Sequence, residues 1–239
     1  MAPEVSKTRE GPGIAVRPYR ARLIFPSPKR REPSPQFRIE RVEATFQLRA
    51  SPWWVNLLWL IPFLAYAIWQ RKRPQLSWTQ LALAAVFALA FGYVEAGVVV
   101  YLRAAVGLLP GYHGTLADVQ RLSGVAYQQS QSLSEFPQSL LTLEVFREAA
   151  TIVMLLAIAL LSANRTRERW AIFLWAFAIW DASYYGWLWL TIRWPASLKD
   201  LDILFLIPKP WVAQVWLPLA VSGLSALAVL LSREACHPA

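Results

Sequence analysis

Between Glu144 and Trp194 the chain passes through two apolar stretches separated only by a short basic turn, NRTRER. The first reads EVFREAATIVMLLAIALLSA and the second WAIFLWAFAIWDASYYGWLWLTIRW. About 20 apolar residues in a helix cross the hydrocarbon core of a bilayer, and each stretch meets that length. A backbone in lipid has no water to bond, so runs of this kind are read as helices. They carry ionisable groups all the same. Glu144, Arg147 and Glu148 stand near one end of the first stretch, and Asp181, Tyr184 and Tyr185 lie inside the second. Charge within a span is costly, which makes each of these a candidate site residue.

Composition agrees with a membrane protein and excludes several other classes. Hydrophobic residues make up 56% and charged residues 16% of the chain, against roughly 45–50% and about 25% in soluble domains. Many of the thirteen Trp, among them Trp53, Trp54, Trp69, Trp78, Trp170, Trp194 and Trp211, fall near the ends of apolar runs, as in the aromatic belt of a membrane interface. A single Cys excludes an intrachain disulfide, and with only two His it argues against zinc or haem ligation. No metal site is expected, and no cofactor is assigned.

The expected fold is an all-α membrane bundle of about five transmembrane helices, at 53–69, 81–102, 140–163, 170–191 and 211–231. Pro62 should bend the first, and Pro137 precedes the third where a first helical turn tolerates it. Between the fourth and fifth lies PASLKDLDILFLIPKP, whose apolar heart LDILFLIP is too short to cross. An interfacial or re-entrant segment before the last helix is therefore expected. The domain plan is a basic, largely disordered tail over 1–50, the helical bundle over 51–232 and a short C-terminal tail over 233–239. FRIERVEATFQL, at 37–48, alternates weakly and suits a short strand or an amphipathic helix. The polar connection over 103–139 holds His113, a lone loop histidine best read as solvated.

Of the net charge of +9, residues 1–50 supply +6, from eleven Lys/Arg and five Glu. No apolar run follows a basic start within the first 30 residues, so no cleavable signal peptide is expected. The tail is read as a solvated extension with anionic lipid headgroups as its candidate partner. Nucleic acid is not expected. The lipid bilayer and other membrane subunits are the remaining candidate partners. Two compact basic turns, Arg71–Lys72–Arg73 and Arg165–Arg167–Arg169, lie on one side together with Arg233, and we place that side in the cytoplasm of a multi-pass inner-membrane protein.

Depths at 1.5 Å per residue from the basic turns put Glu95 at roughly 25 Å, Glu148 at roughly 22 Å and Asp181 at roughly 16 Å. Three carboxylates from three helices thus share the half of the bilayer away from those turns. On the third helix Glu144, Arg147, Glu148 and Thr151 follow i, i+3, i+4, i+7 and share a face. Asp181, Tyr184 and Tyr185 do the same on the fourth. Short turns should make neighbours of the first and second helices and of the third and fourth. Arg147 is expected to pair with Glu148 or Asp181, and Tyr184 to donate to Glu95. Gly92 and Gly97 are read as packing residues. Asp200 and Asp202, in KDLDILF, form a loop acidic pair read first as an interfacial turn and otherwise as an acid–base or metal-binding pair at the mouth of the cluster.

Three functions remain open for the cluster Glu95, Glu144, Arg147, Glu148, Asp181, Tyr184 and Tyr185. It fastens the helices of a structural or complex-forming subunit, it carries protons or small cations, or it serves an intramembrane enzyme acting on a lipid-linked or small polar substrate. No phosphate-binding loop, nucleophile elbow, zinc-protease motif or Cys pair is present. The segments FGYVEAGVVVYLRA, EVFREAATIVMLLAIALL and IWDASYYGWLWL with WPASLKDLDILFLIPKPW resemble a group of uncharacterised bacterial polytopic integral membrane proteins, across residues 52–231. That resemblance implies a bacterial membrane setting and assigns no activity.

Overall fold

The computed structural model describes residues 46–105, 115 and 138–234. Over these residues the chain is mostly helical. A 3-10 helix, Trp53–Trp59, runs into α1, Leu60–Arg71, and is followed by α2 (Trp78–Ala105), α3 (Gln138–Ser162), α4 (Thr166–Ile192) and α5 (Trp216–Ser232). A two-stranded antiparallel hairpin, β1 (Leu201–Phe205) and β2 (Trp211–Gln214), separates α4 from α5. Most of the tail, the connection holding His113 and residues 37–45 of the element expected at 37–48 lie outside the described residues, and 46–48 form neither strand nor helix.

Local chemistry explains several boundaries. Pro62 marks the change from 3-10 to α geometry, and its missing N–H falls in the first α-turn, where it is tolerated. At the start of α2, Ser77 Oγ accepts from the N–H of Gln80 at 3.1 Å and Gln80 Oε1 accepts from the N–H of Ser77 at 2.9 Å. This is a reciprocal capping box. The same Gln80 donates through Nε2 to the carbonyl of Ser162 at 2.8 Å, tying the start of α2 to the end of α3.

Two helices, Trp78–Leu102 and Leu141–Ser162, are long and apolar enough to cross a membrane by length and composition. α5 is apolar but only 17 residues long. The fifth expected span therefore begins later than 211. Trp211–Gln214 is extended because its backbone pairs on both sides: Asp202 faces Ala213 and Ile203 faces Val212 across the hairpin, and Ser51 exchanges two backbone hydrogen bonds with Val212 at 2.7 and 2.8 Å. The segment expected to be interfacial or re-entrant carries the first strand of this hairpin.

α4 is the hub, packing on α2, α3 and α5, and its broadest contact is with α2. α1 lies against α5, so its main neighbour is the last helix and not the second, as its short turn to α2 had suggested. The α2–α4 crossing is close at Gly92, where an added Cβ would stand 2.2 Å from Ser183 Oγ and 3.0 Å from the carbonyl oxygen of Trp180. Gly97 meets nothing within 4 Å and has no such role. Around the crossing Ala88, Phe91, Leu155, Ala176 and Trp180 form the middle of the core. Phe205, at the end of β1, packs on Phe177 and Trp180 with ring centroids 6.5 Å apart in each case. Those positions lie 11 and 14 residues into α4, or roughly 16 to 21 Å along a helix of about 40 Å. The hairpin therefore reaches down to the middle of the bundle.

Candidate functional site

The site is built where α2, α3, α4 and the hairpin meet. Glu95 of α2 is buried, and both of its oxygens are engaged by α3. Arg147 Nη1 pairs with Oε2, and Thr151 Oγ1 donates to Oε1 at 2.5 Å. The guanidinium also donates to Glu144 Oε1, from Nε at 2.8 Å and from Nη2 at 2.5 Å. One arginine thereby joins two carboxylates on two helices. Such charge-assisted bonds are the strong ones, and a partly buried arginine placed between carboxylates of α2 and α3 ties the rotation of one helix to the other.

The stripe on α3 divides in use. Glu144, Arg147 and Thr151 turn to Glu95, while Glu148 Oε2 accepts the backbone N–H of Leu206 at 2.8 Å. Leu206 directly follows β1, so a carboxylate of α3 closes the inner end of the strand. The expected direct pairs of Arg147 with Glu148 or Asp181 are replaced by Glu95 and Glu144. The reason is helical rotation: once Arg147 faces α2, Glu148 one position on points about 100° away.

On α4, Asp181 Oδ2 accepts from Ser222 Oγ of α5 at 2.8 Å. One turn on, Tyr185 is buried and its hydroxyl donates to Asp202 Oδ2 at 2.8 Å. Tyr184 lies edge-on to Tyr185, with centroids 5.0 Å apart. Asp202 and Asp200 do not act as a pair. Asp202 is buried on the strand and joins the cluster, whereas Asp200 accepts the N–H groups of Ala196 and Ser197 at 2.7 and 3.2 Å and holds the turn after α4. Sequence reasoning left out Ser222 and the Leu206 amide. Ser222 had a signal, since with Ser225 it makes a buried i, i+3 polar pair within an otherwise apolar helix.

The polar groups of these elements include five carboxylates, Glu95, Glu144, Glu148, Asp181 and Asp202, and Arg147 pairs with two of them, Glu95 and Glu144. Among the described residues no three His, Cys, Asp or Glu side chains are arranged to hold a metal ion. Each carboxylate ends on a donor within the protein, and four of the five, Glu144 excepted, take a donor from an element other than their own. No protein-family model matches the chain, and no curated protein or solved structure is similar to it, so the site is read from its geometry alone.

Proposed function

We propose that the chain is a multi-pass protein of the bacterial inner membrane, with the 3-10 helix and α1 together as the first span, α2 to α5 as the others, and the basic turns in the cytoplasm. Its polar cluster fastens four helices, α2 to α5, and a re-entrant hairpin into one body, as in a structural or complex-forming membrane subunit. The membrane setting is supported by what surrounds the helices. In the apolar windows of α2 and α3 only 33% and 22% of residues are buried, whereas a core helix of a soluble protein is mostly buried. Side chains such as Leu83, Val86, Leu89, Val153, Leu160 and Leu161 are exposed along these helices, as a lipid-facing surface would be.

The observation that carries the fastening role is that Glu95, Glu148, Asp181 and Asp202 each take a donor from a different element. Non-helical backbone is tolerated at membrane depth only where protein or enclosed water satisfies it, and Glu148 does this for the hairpin. The experiment is a double-mutant cycle. Arg147→Leu strands Glu95 and should cost about 3–5 kcal/mol in detergent. Adding Glu95→Gln should recover the share of the loss due to Glu95, while Glu144, the other carboxylate on that guanidinium, keeps the rest. A single variant as stable as the wild type would rule out the fastening.

One observation favours a second reading, a proton or small-cation pathway: the linked contacts of α2, α3, α4 and the hairpin hold five acidic side chains and one basic one, Arg147. Asp181→Asn keeps an acceptor for Ser222, so folding should survive. Purified protein in proteoliposomes with a pH-sensitive dye then decides. Wild-type proton flux abolished by Asp181→Asn would establish the pathway, and no flux in either would leave the fastening.

A further inference from the structure

The two candidate spans end together, α2 beginning at Trp78 and α3 ending at Ser162, and three separate chain segments are hydrogen-bonded into one platform there. The turn after α1 pairs with the residue after α5: the N–H of Leu76 donates to the carbonyl of Glu234 at 3.2 Å, and the N–H of Glu234 donates to the carbonyl of Pro74 at 2.9 Å. The turn between α3 and α4 joins them, since Arg165 Nη1 donates to Gln75 Oε1 at 3.0 Å. Arg233 completes the union, with its guanidinium 3.5 Å over the ring of Trp78 and Nη1 bonded to the carbonyl of Leu76 at 3.4 Å.

This platform is strongly basic. Arg71, Lys72 and Arg73 are exposed on the first segment, and Arg165, Arg167 and Arg169 stand on the second. With Arg233 there are seven basic side chains against two acidic ones, Glu168 and Glu234, over these three segments. Trp78 and Trp170 are exposed beside them, at the level where amphipathic rings meet headgroups. Some of these cations are occupied: Arg169 Nε donates to the carbonyl of Ala163, and Arg165 lies 3.6 Å from Glu168. Among the described residues no ion pair is formed by Arg71, Lys72 or Arg73.

We propose that this platform is a docking surface for the anionic phospholipid headgroups of the facing leaflet, gathering phosphates between the turn at 71–73 and the turn at 165–169. The occupant follows from charge and level together. A cationic surface that continues directly from the apolar, outward-facing ends of two spans meets headgroup phosphates before anything else, and each Lys or Arg near an anionic surface adds roughly fivefold in affinity. The inference rests on the membrane setting proposed above. It concerns the end of the bundle opposite the hairpin, and it does not depend on what the buried cluster does.

The test uses the full chain in micelles of a neutral detergent, titrated with phosphatidylglycerol, phosphatidylcholine or inorganic phosphate, with binding read by thermophoresis. Phosphatidylglycerol should bind, phosphatidylcholine should not, and the triple change Arg71→Gln, Arg73→Gln, Arg165→Gln should weaken binding by about a hundredfold. Lys199→Gln with Lys209→Gln, beyond α4, should leave it unchanged. If the triple variant does not fold, salt serves instead: raising it to about 0.5 M should weaken wild-type binding strongly, because exposed charges are screened. Equal affinity for the two lipids, full binding by the triple variant, or insensitivity to salt would each overturn the proposal. So would inorganic phosphate competing at equal concentration, which would mark a free-anion site. Protein released from membranes by an alkaline carbonate wash would fail the membrane setting itself, whereas protein retained there but indifferent to lipid charge fails only the headgroup surface.

Discussion

Glu148 of α3 and the backbone N–H of Leu206 meet at 2.8 Å, joining a helix to the inner end of a hairpin strand. The contact matters because β1 ends at Phe205, and the next amide has no partner on β2. Buried without Glu148, that N–H would be orphaned at the middle of the bundle.

The first prediction separates the acceptor from the charge. Glu148→Gln keeps an oxygen for Leu206 and should lower stability little, whereas Glu148→Ala leaves a buried N–H unpaired and should cost about 1–3 kcal/mol. Thermal unfolding in detergent measures both. Hydrogen exchange over 201–214 should rise in the alanine variant alone, and equal protection in all three proteins would show that the hairpin is held by other means.

Helix crossing gives a second prediction. A side chain at Gly92 collides with the backbone of α4 as well as with Ser183, and backbone cannot swing aside. Gly92→Leu should therefore destabilise by about 1–3 kcal/mol or more, through overpacking. Gly97→Ala meets open space and should be neutral. Equal unfolding temperatures for the two variants would refute the close α2–α4 approach.

How far these features were legible depends on whether one segment or two decide them. α3 and α4 were visible because each is a long apolar run that only a helix can satisfy, and their observed limits, Gln138–Ser162 and Thr166–Ile192, extend the expected ones by a few residues at most ends. The hairpin was not, because LDILFLIP carries no period that separates a strand from a buried turn. Its second strand is also held from the other side, where Val212 meets Ser51, a residue far away in sequence. The members of the cluster were legible because charge in an apolar run stands out. Their pairing was not, since the partner of Arg147 depends on how α3 is rotated against α2, and the sequence marks no rotation. Asp202 looked like a loop residue until its strand brought it to Tyr185.

Orientation supplies a third prediction. With the basic turns in the cytoplasm, a phosphatase that works only outside should be active when fused after Gln129, and a fluorescent protein that matures only inside should be bright after Ala239. The reverse pattern would invert the protein and put the hairpin side in the cytoplasm.

The last prediction concerns Tyr185 and Asp202, where a helix and a strand share one proton donor. Tyr185→Phe removes the hydroxyl that donates at 2.8 Å and weakens the solvation of a buried carboxylate. The loss should be about 1–3 kcal/mol, the usual result of removing one partner from a buried polar pair. Asp202→Asn keeps an acceptor and should be milder. Replacing both, Tyr185→Phe with Asp202→Val, removes donor and charge together and places a β-branched residue on a strand that accepts it. That double variant should recover most of the stability, because two apolar groups of similar shape leave nothing unsatisfied. Unfolding temperatures of the wild type, Tyr185→Phe, Asp202→Val and the double variant in one detergent complete the cycle. Strict additivity of the two single changes would show that Tyr185 and Asp202 do not stabilise one another, and would remove the hydrogen bond from the set that fastens the hairpin to α4.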